Sequence, residues 1–412
     1  MGDSLQQIIE SLVVDVDSAW RQKDFRWEAL PDVASSSLAR AALHTRVDVA
    51  TVLSQALELL TQPHARGYHR GSTCVSLYQG RRFAITLHVW TDRIETPHAH
   101  GWRGGFQVLS GPVIHSIYRF DREEALSSAV SRGTLIHEKL DIMGPGDVAS
   151  VRDARMIHGL CHIQAPSLSL AIRSVENTGI TGQYWGLGAD ALEVDVESNG
   201  FEAVDDILIC LGALALVDRE AYRRELVSAL DRIDIGDAFW MCRTLGSRDL
   251  EARNMVLDAM QGDRWQAWGA VIRKALRWIE AETRLNAAFR RVQGAPERYL
   301  LALLRLASDG RQVFDVMQSL DATQRDGIEC TLETLERIVG AAGSVLTLSQ
   351  INDSVADILR ALFERPTLAH VRERLAAEYD KGSIVANGAR LEAMVSRLQR
   401  APELLVFFGA GP

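Results

Sequence analysis

The sequence predicts an α+β protein: a small β-barrel between N-terminal helices and a large all-α C-terminal region. Three observations carry this. Helix-period apolar stripes occupy residues 1–62 and return after residue 200. Between about 68 and 175 the texture changes to short β-branched or aromatic runs broken by Gly, Pro and Asp. Nine of the 11 histidines fall between His64 and His162, a cluster that coincides with that change of texture.

The N-terminal helices follow from two stripes. Leu5, Ile8, Ile9, Leu12 and Val13 form one; Val47, Val49, Val52, Leu53, Leu57 and Leu60 form the other. The expected strands are Phe83–Trp90, Phe106–Leu109, Val113–Phe120, Val148–Val151 and Leu168–Ile172. Short strands with turn signals and no long helix between them suit a small barrel or jelly roll. Helices are expected at Ile207–Val217 (as a buried helix), Glu220–Ile233, Leu250–Met260, Trp265–Arg291, Glu297–Ala307 and Arg325–Gly340. Trp265, Trp268 and Trp278 read as core or interface. The domains expected are a helical segment 1–65, a barrel 66–195, a helical domain 200–345 and a terminal module 346–412, with Glu197–Gly200 at the central boundary. In the last module three short helices precede Leu404–Phe408, an expected strand. That order resembles a winged helix, of the kind that recruits peptides or partner proteins.

Composition narrows the function. At 412 residues with 47% apolar and 24% charged content, the chain is long enough for a sizeable core. A net charge of −9 argues against a duplex-binding protein. The C-terminal end carries no basic excess either: from Glu333 onward there are nine basic and ten acidic residues. No apolar run approaches the ~20 residues of a membrane span. The start MGDSLQQIIE has no basic-then-apolar signal. Five scattered cysteines without CxxC suit free thiols in a reducing cytoplasm. Phosphate loops, a GxSxG elbow and a base-paired cysteine nucleophile are absent.

The chemistry-bearing motif is Pro97-His98-Ala99-His100. Residues i and i+2 of a strand point to one side, so both imidazoles can converge on one ion. A turn glycine, Gly111, follows His100 by eleven residues; then come Gly144-Pro145-Gly146-Asp147, a strand and His158. Three neutral imidazoles suit Fe(II), Zn, Ni or Cu. His162 is in strand phase with His158, as a supporting group, an alternative ligand or a hydrogen-bonded edge histidine. His88 shares a strand face with Thr86 and Trp90, as a pocket acid/base or a satisfied buried residue. His115 reads as an outer-face or core residue, and Trp102 as a cavity wall or barrel packing.

HxH, a turn glycine and PG(x)11H together resemble the two motifs of the cupin superfamily. The Glu usual in cupins seven residues before the glycine is replaced here by Gly104, which implies a three-histidine site at His98, His100 and His158. Over residues 66–175 the chain is similar to the cysteine dioxygenase family. Tyr68-His69-Arg70 resembles that family's Tyr-x-Arg, implying that Arg70 holds a substrate carboxylate beside Tyr68. His88 takes a pocket-lining position in the same comparison. The family's Ser-x-His-x-Tyr is here Ser169, Ala171 and Arg173, so only the serine survives. This departure implies a substrate other than free cysteine. Arg173, in the tyrosine's place, is the second candidate for an acidic group.

The resemblance implies a mononuclear non-haem iron oxygenase using Fe(II) and O2 on a small acidic thiol, amino acid or peptide-borne residue. The expected catalytic residues are His88, Arg173 and Tyr68; the expected substrate contacts are Arg70, Arg173, Trp102 and His162. The peptide would be recruited by the C-terminal domain, without nucleic acid or membrane. Two alternatives stand beside it: a Zn, Mn or Ni lyase, isomerase or hydrolase, and a ligand sensor whose helical domain binds a partner.

Overall fold

The computed structural model describes residues 5–61, 66–67, 72–91, 94–175, 182–195, 201–260, 265–348, 350–378 and 388–408. Tyr68, His69, Arg70 and the boundary at Glu197–Gly200 lie outside them.

Three helices open the chain: α1 (Leu5–Arg21), α2 (Leu30–Ala41) and α3 (Val49–Leu60). Eleven strands follow among the described residues. They are β1 (Arg66–Gly67), β2 (Ser72–Gln79), β3 (Phe83–Trp90), β4 (Gly104–Ser110), β5 (Val113–Ala125), β6 (Val130–Met143), β7 (Val148–Val151), β8 (Ile157–His162), β9 (Ser167–Ser174), β10 (Gly182–Trp185) and β11 (Gly188–Asp195). They pair antiparallel in two sheets, ordered β1-β2-β3-β9-β4-β7 and β10-β11-β6-β5-β8.

Alternation along the strands separates two cores. Ile85 and Leu87 of β3 and Leu168, Leu170 and Ile172 of β9 face α1–α3 and bury Trp20, Leu30 and Leu38 with them. The opposite face of the same strands presents Trp90 and Ala171, which meet Val113, Met143 and Leu160 from the second sheet. Both sheets therefore share one interior. The second sheet curls: its edge strands β8 and β10 are joined through His98, which bridges both His158 and Gln183. Ala99 N–H donates to Gly182 O and Tyr184 N–H to Pro97 O across that seam.

The C-terminal region is helical: α4 (Glu202–Val217), α5 (Arg219–Ala229), α6 (Ile235–Arg248), α7 (Leu250–Ala259), α8 (Gln266–Phe289), α9 (Ala295–Leu306), α10 (Gly310–Leu320), α11 (Gly327–Ala342), α12 (Asp353–Glu364), α13 (Leu368–Glu378) and α14 (Gly388–Gln399). Several begin at Asp caps; Asp218, Asp234, Asp249, Asp309 and Asp326 each accept backbone N–H bonds of the first turn. One core joins α4–α8 to Val130, Trp185 and Leu192 of the second sheet. Another joins α8–α14 to Ile94, Ile114, Cys161 and Ile163. Trp265 and Trp278 are buried, as expected of core residues.

Two sequence expectations are corrected. Leu404–Phe408 is not a strand: Pro402–Leu404 is a 3-10 turn and Leu405–Phe408 a helical turn. Among the described residues of 346–412 there is no strand, so the winged-helix ending is not formed there. The run is too short for periodicity to separate helix from strand, and its burial against α9 and α10 decides for helix. The helix Ile207–Val217 exists within α4, but it is not wholly buried: Ile209, Leu216 and Val217 face outward.

Candidate metal centre

The segment 94–99 is laid along β8 by backbone pairing. Glu95 N–H donates to Leu160 O, and His98 and His158 exchange both N–H···O bonds, at 2.8 and 2.9 Å. An antiparallel bridge sets side chains directly opposite on one face. His158 is thereby brought beside His98, and the i, i+2 spacing adds His100. One ring nitrogen from each lies within 4.8 Å of the others. The ring centroids are 4.5 Å (98–100), 5.0 Å (98–158) and 4.7 Å (100–158) apart.

Neighbours determine which nitrogen each ring presents. His98 Nδ1 is 2.8 Å from Thr96 O. A carbonyl only accepts, so Nδ1 carries the proton and Nε2 keeps its lone pair for a ligand. His158 Nδ1 is 3.1 Å from His115 Nε2, which turns its Nε2 toward His100 Nε2, 2.6 Å away. Two ring nitrogens that close must share a proton or a cation. The donor set fits a divalent metal: three imidazoles, each with Nε2 inward.

Among the described residues this cluster holds three histidines and no carboxylate, and Gly104 on β4 has no room for a side chain. Its φ is +156°, and a Cβ there would lie 1.9 Å from Ile172 O. No side chain fits without moving β4 off β9. Gly104→Ala is expected to destabilise the protein by more than about 2 kcal/mol, read from the denaturant midpoint; an unchanged midpoint would show that the strands yield.

Around the three histidines, Trp102 stacks on His100 at 5.0 Å, and Phe106 lies edge-on to His158 at 6.3 Å. His115 is the site residue that sequence reasoning passed over. It is buried on β5 and bonded to His158, and burial pushes its pKa down to about 4, so it stays neutral. Only strand pairing reveals it. Ile117 pairs with His158 across β5–β8, and His115 lies two positions along the same face.

A second group lines the same interior. His88, Trp90 and His162 form a parallel stack, with centroids at 5.6 and 4.4 Å. Trp90 Nε1 donates to Ser169 Oγ; His162 Nδ1 is 2.7 Å from Ser167 Oγ; Thr86 Oγ1 is 3.2 Å from His88 Nε2. Burial and the Arg173 guanidinium hold His88 down at about 4. Burial raises the Cys74 thiol, with Arg173 and Thr86 pulling the other way. Arg173 therefore lies near enough to Cys74 and His88 for its charge to act on both. His162 belongs to this stack and not to the three-nitrogen cluster. Trp90, Phe106 and Leu160 belong to one buried apolar cluster.

The helical region holds the site from behind. Asn286 on α8 clamps Ile94, with Oδ1 accepting its N–H at 2.7 Å and Nδ2 donating to its O at 3.2 Å. Glu282, one turn earlier, accepts from Thr96 Oγ1 at 2.5 Å and from Arg305 Nε at 3.2 Å. Thr96 in turn orients His98. Ser116 Oγ and Tyr118 OH both donate to Leu306 O.

No family model matches the chain, and no curated protein matches it. Solved structures show a limited likeness, and two of them illustrate it. One is the polyketide cyclase RemF from Streptomyces resistomycificus, 13% identical, covering 33% of this chain and 80% of its own, with a TM-score of 0.20. The other is an HTH_3 family transcriptional regulator from Vibrio cholerae, 13% identical, covering 40% of this chain and 96% of its own, also at 0.20. Among the described residues no helix is long and apolar enough to cross a membrane.

Proposed function

We propose that the protein is a cupin-type, mononuclear non-haem iron oxygenase whose metal is held by His98, His100 and His158. The observation that carries this reading is the convergence of three Nε2 atoms, with the orientation of two rings fixed by Thr96 O and His115. When bound, Fe(II) supplies a Lewis-acid and redox centre able to activate O2. With no carboxylate ligand such a centre keeps its full charge, which favours an anionic substrate group.

The chain's own residues then bind and orient. Arg173 offers a planar cation to an acidic group of the substrate. His88, held neutral beside it, offers a ring nitrogen for a proton at the substrate. Trp90, Phe106 and Leu160 exclude water from the interior. For Tyr68 and Arg70, outside the described residues, the proposal is the role that the Tyr-x-Arg resemblance implies, binding of a substrate carboxylate. Substrates of this description include small acidic thiols, amino acids and peptide-borne residues.

The test is metal analysis of anaerobically purified protein, followed by O2 uptake with candidate thiols and acids. About one iron per chain with substrate-dependent uptake supports the oxygenase. One zinc, manganese or nickel per chain without uptake would favour a lyase, isomerase or hydrolase. Full biological activity in His98→Ala would favour a ligand sensor.

His115 gives a further expectation. His115→Ala should weaken metal binding about 10- to 100-fold, because His158 loses the partner that orients its ring. Competition with a chelator checks this; an unchanged affinity would show that β8 alone sets the ring.

A further inference from the structure

The second sheet carries a notch where β8 stops short of its neighbour. β5 pairs with β8 only from Val113 to Tyr118, but with β6 as far as Ala125. Beyond Tyr118 no strand among the described residues pairs with the β8 side of β5. The turn 152–156 flanks that step, and Tyr184 and Glu193 of β10 and β11 line it from across the curl. A cavity of about 640 Å³ results, within the ~300–1,000 Å³ of small-molecule sites. It is distinct from the metal centre. Ile157 lines it, while His158, the next residue of β8, turns to the opposite side and joins the three histidines.

The floor is apolar and fixed. Tyr118, Ile157 and Tyr184 are buried in one cluster, which Phe120 joins with its ring 5.3 Å from that of Tyr184. Both phenols are anchored: Tyr118 OH donates to Leu306 O at 2.9 Å, and Tyr184 OH to Glu193 Oε1 at 2.7 Å. Rings held in this way lose little freedom when a ligand arrives.

The rim is cationic. Four arginines line it against three carboxylates, in a chain whose net charge is −9. Three of the arginines are engaged: Arg119 by Asp121 and Glu138, Arg122 by Glu193, and Arg152 by Asp32 at 3.1 Å. Asp153 accepts the backbone N–H of Arg155 at 2.9 Å. The guanidinium of Arg155 itself has no ion-pair partner among the described residues. Its charge reaches the Tyr184 hydroxyl: burial and Glu193 push that phenol up, and Arg122 and Arg155 pull the other way. One open guanidinium fork beside an aromatic floor suits one planar anion on a flat apolar body. A phosphate dianion would call for a second uncommitted cation.

We infer that this cavity is a second ligand site, for a small aromatic carboxylate whose acid group pairs with Arg155 and whose body lies on Phe120 and Tyr184. It stands independently of any metal at the three histidines.

Isothermal titration calorimetry of the full chain with 2-naphthylacetate tests this. Saturable binding is expected, with a Kd of about 1 mM or below. Acetate, which lacks the rings, and 2-naphthylethylamine, which lacks the anion, should each bind at least about 10-fold more weakly. Arg155→Gln, at an exposed position, should weaken 2-naphthylacetate at least about 10-fold and leave the circular dichroism unchanged. Arg173→Gln and His98→Ala, which alter the interior arginine and the metal centre, should leave the Kd within about two-fold. No saturable heat up to about 5 mM ligand, an Arg155→Gln variant that binds like the wild type, a loss confined to Arg173→Gln or His98→Ala, or an amine as tight as the acid would overturn the inference.

Discussion

His158→Ala is expected to leave the purified protein with no stoichiometric metal. His158 is the central ring of the site: its Nε2 meets His100, its Nδ1 meets His115, and its backbone pairs with His98. Alanine removes one of three donors and strands His115, so affinity should fall by more than the ~100-fold that the loss of an orienting partner costs. The side chain projects from a strand whose backbone pairing does not need it, so the fold should survive. Elemental analysis and unfolding curves together check this. Full metal content in the folded variant would mean that the cation is held elsewhere.

Glu282→Ala is expected to damage both stability and metal affinity, although Glu282 is on a helix 184 positions from His98 in sequence. Arg305 is 3% exposed, and Glu282 is its ion-pair partner. Removing the partner leaves a buried charge uncompensated, at a cost of about 3–5 kcal/mol. It also frees Thr96, whose carbonyl orients His98. A double replacement, Glu282→Leu with Arg305→Leu, separates the two roles. It should recover much of the stability, because no orphan charge remains, but not the metal affinity. Recovery of both would show that Thr96 needs no support from α8.

The three candidate ligands were legible because their order in the chain mirrors strand geometry. HxH encodes a shared face, and PG(x)11H encodes the return strand. What the sequence concealed depends on contacts between distant segments. His115 looked like packing because nothing local marks the ring that it touches. Glu282 and Asn286 sit on α8 among ordinary amphipathic positions, and their roles exist only because α8 lies against residues 94–96. Strand β6 was missed because its exposed half, with Glu138, Lys139 and Asp141, breaks the apolar alternation. Its long pairing with β5 supplies what its composition lacks. In α4, apolar residues all round predicted burial, yet Ile209, Leu216 and Val217 are exposed.

X-ray absorption at the metal edge tests the central claim most directly. For wild-type protein loaded with Fe(II), the account predicts imidazole scattering from three nitrogens in the metal's first coordination sphere, reduced in His98→Ala and His100→Ala. A spectrum dominated by sulfur or carboxylate scatterers, or one unchanged in both variants, would contradict it.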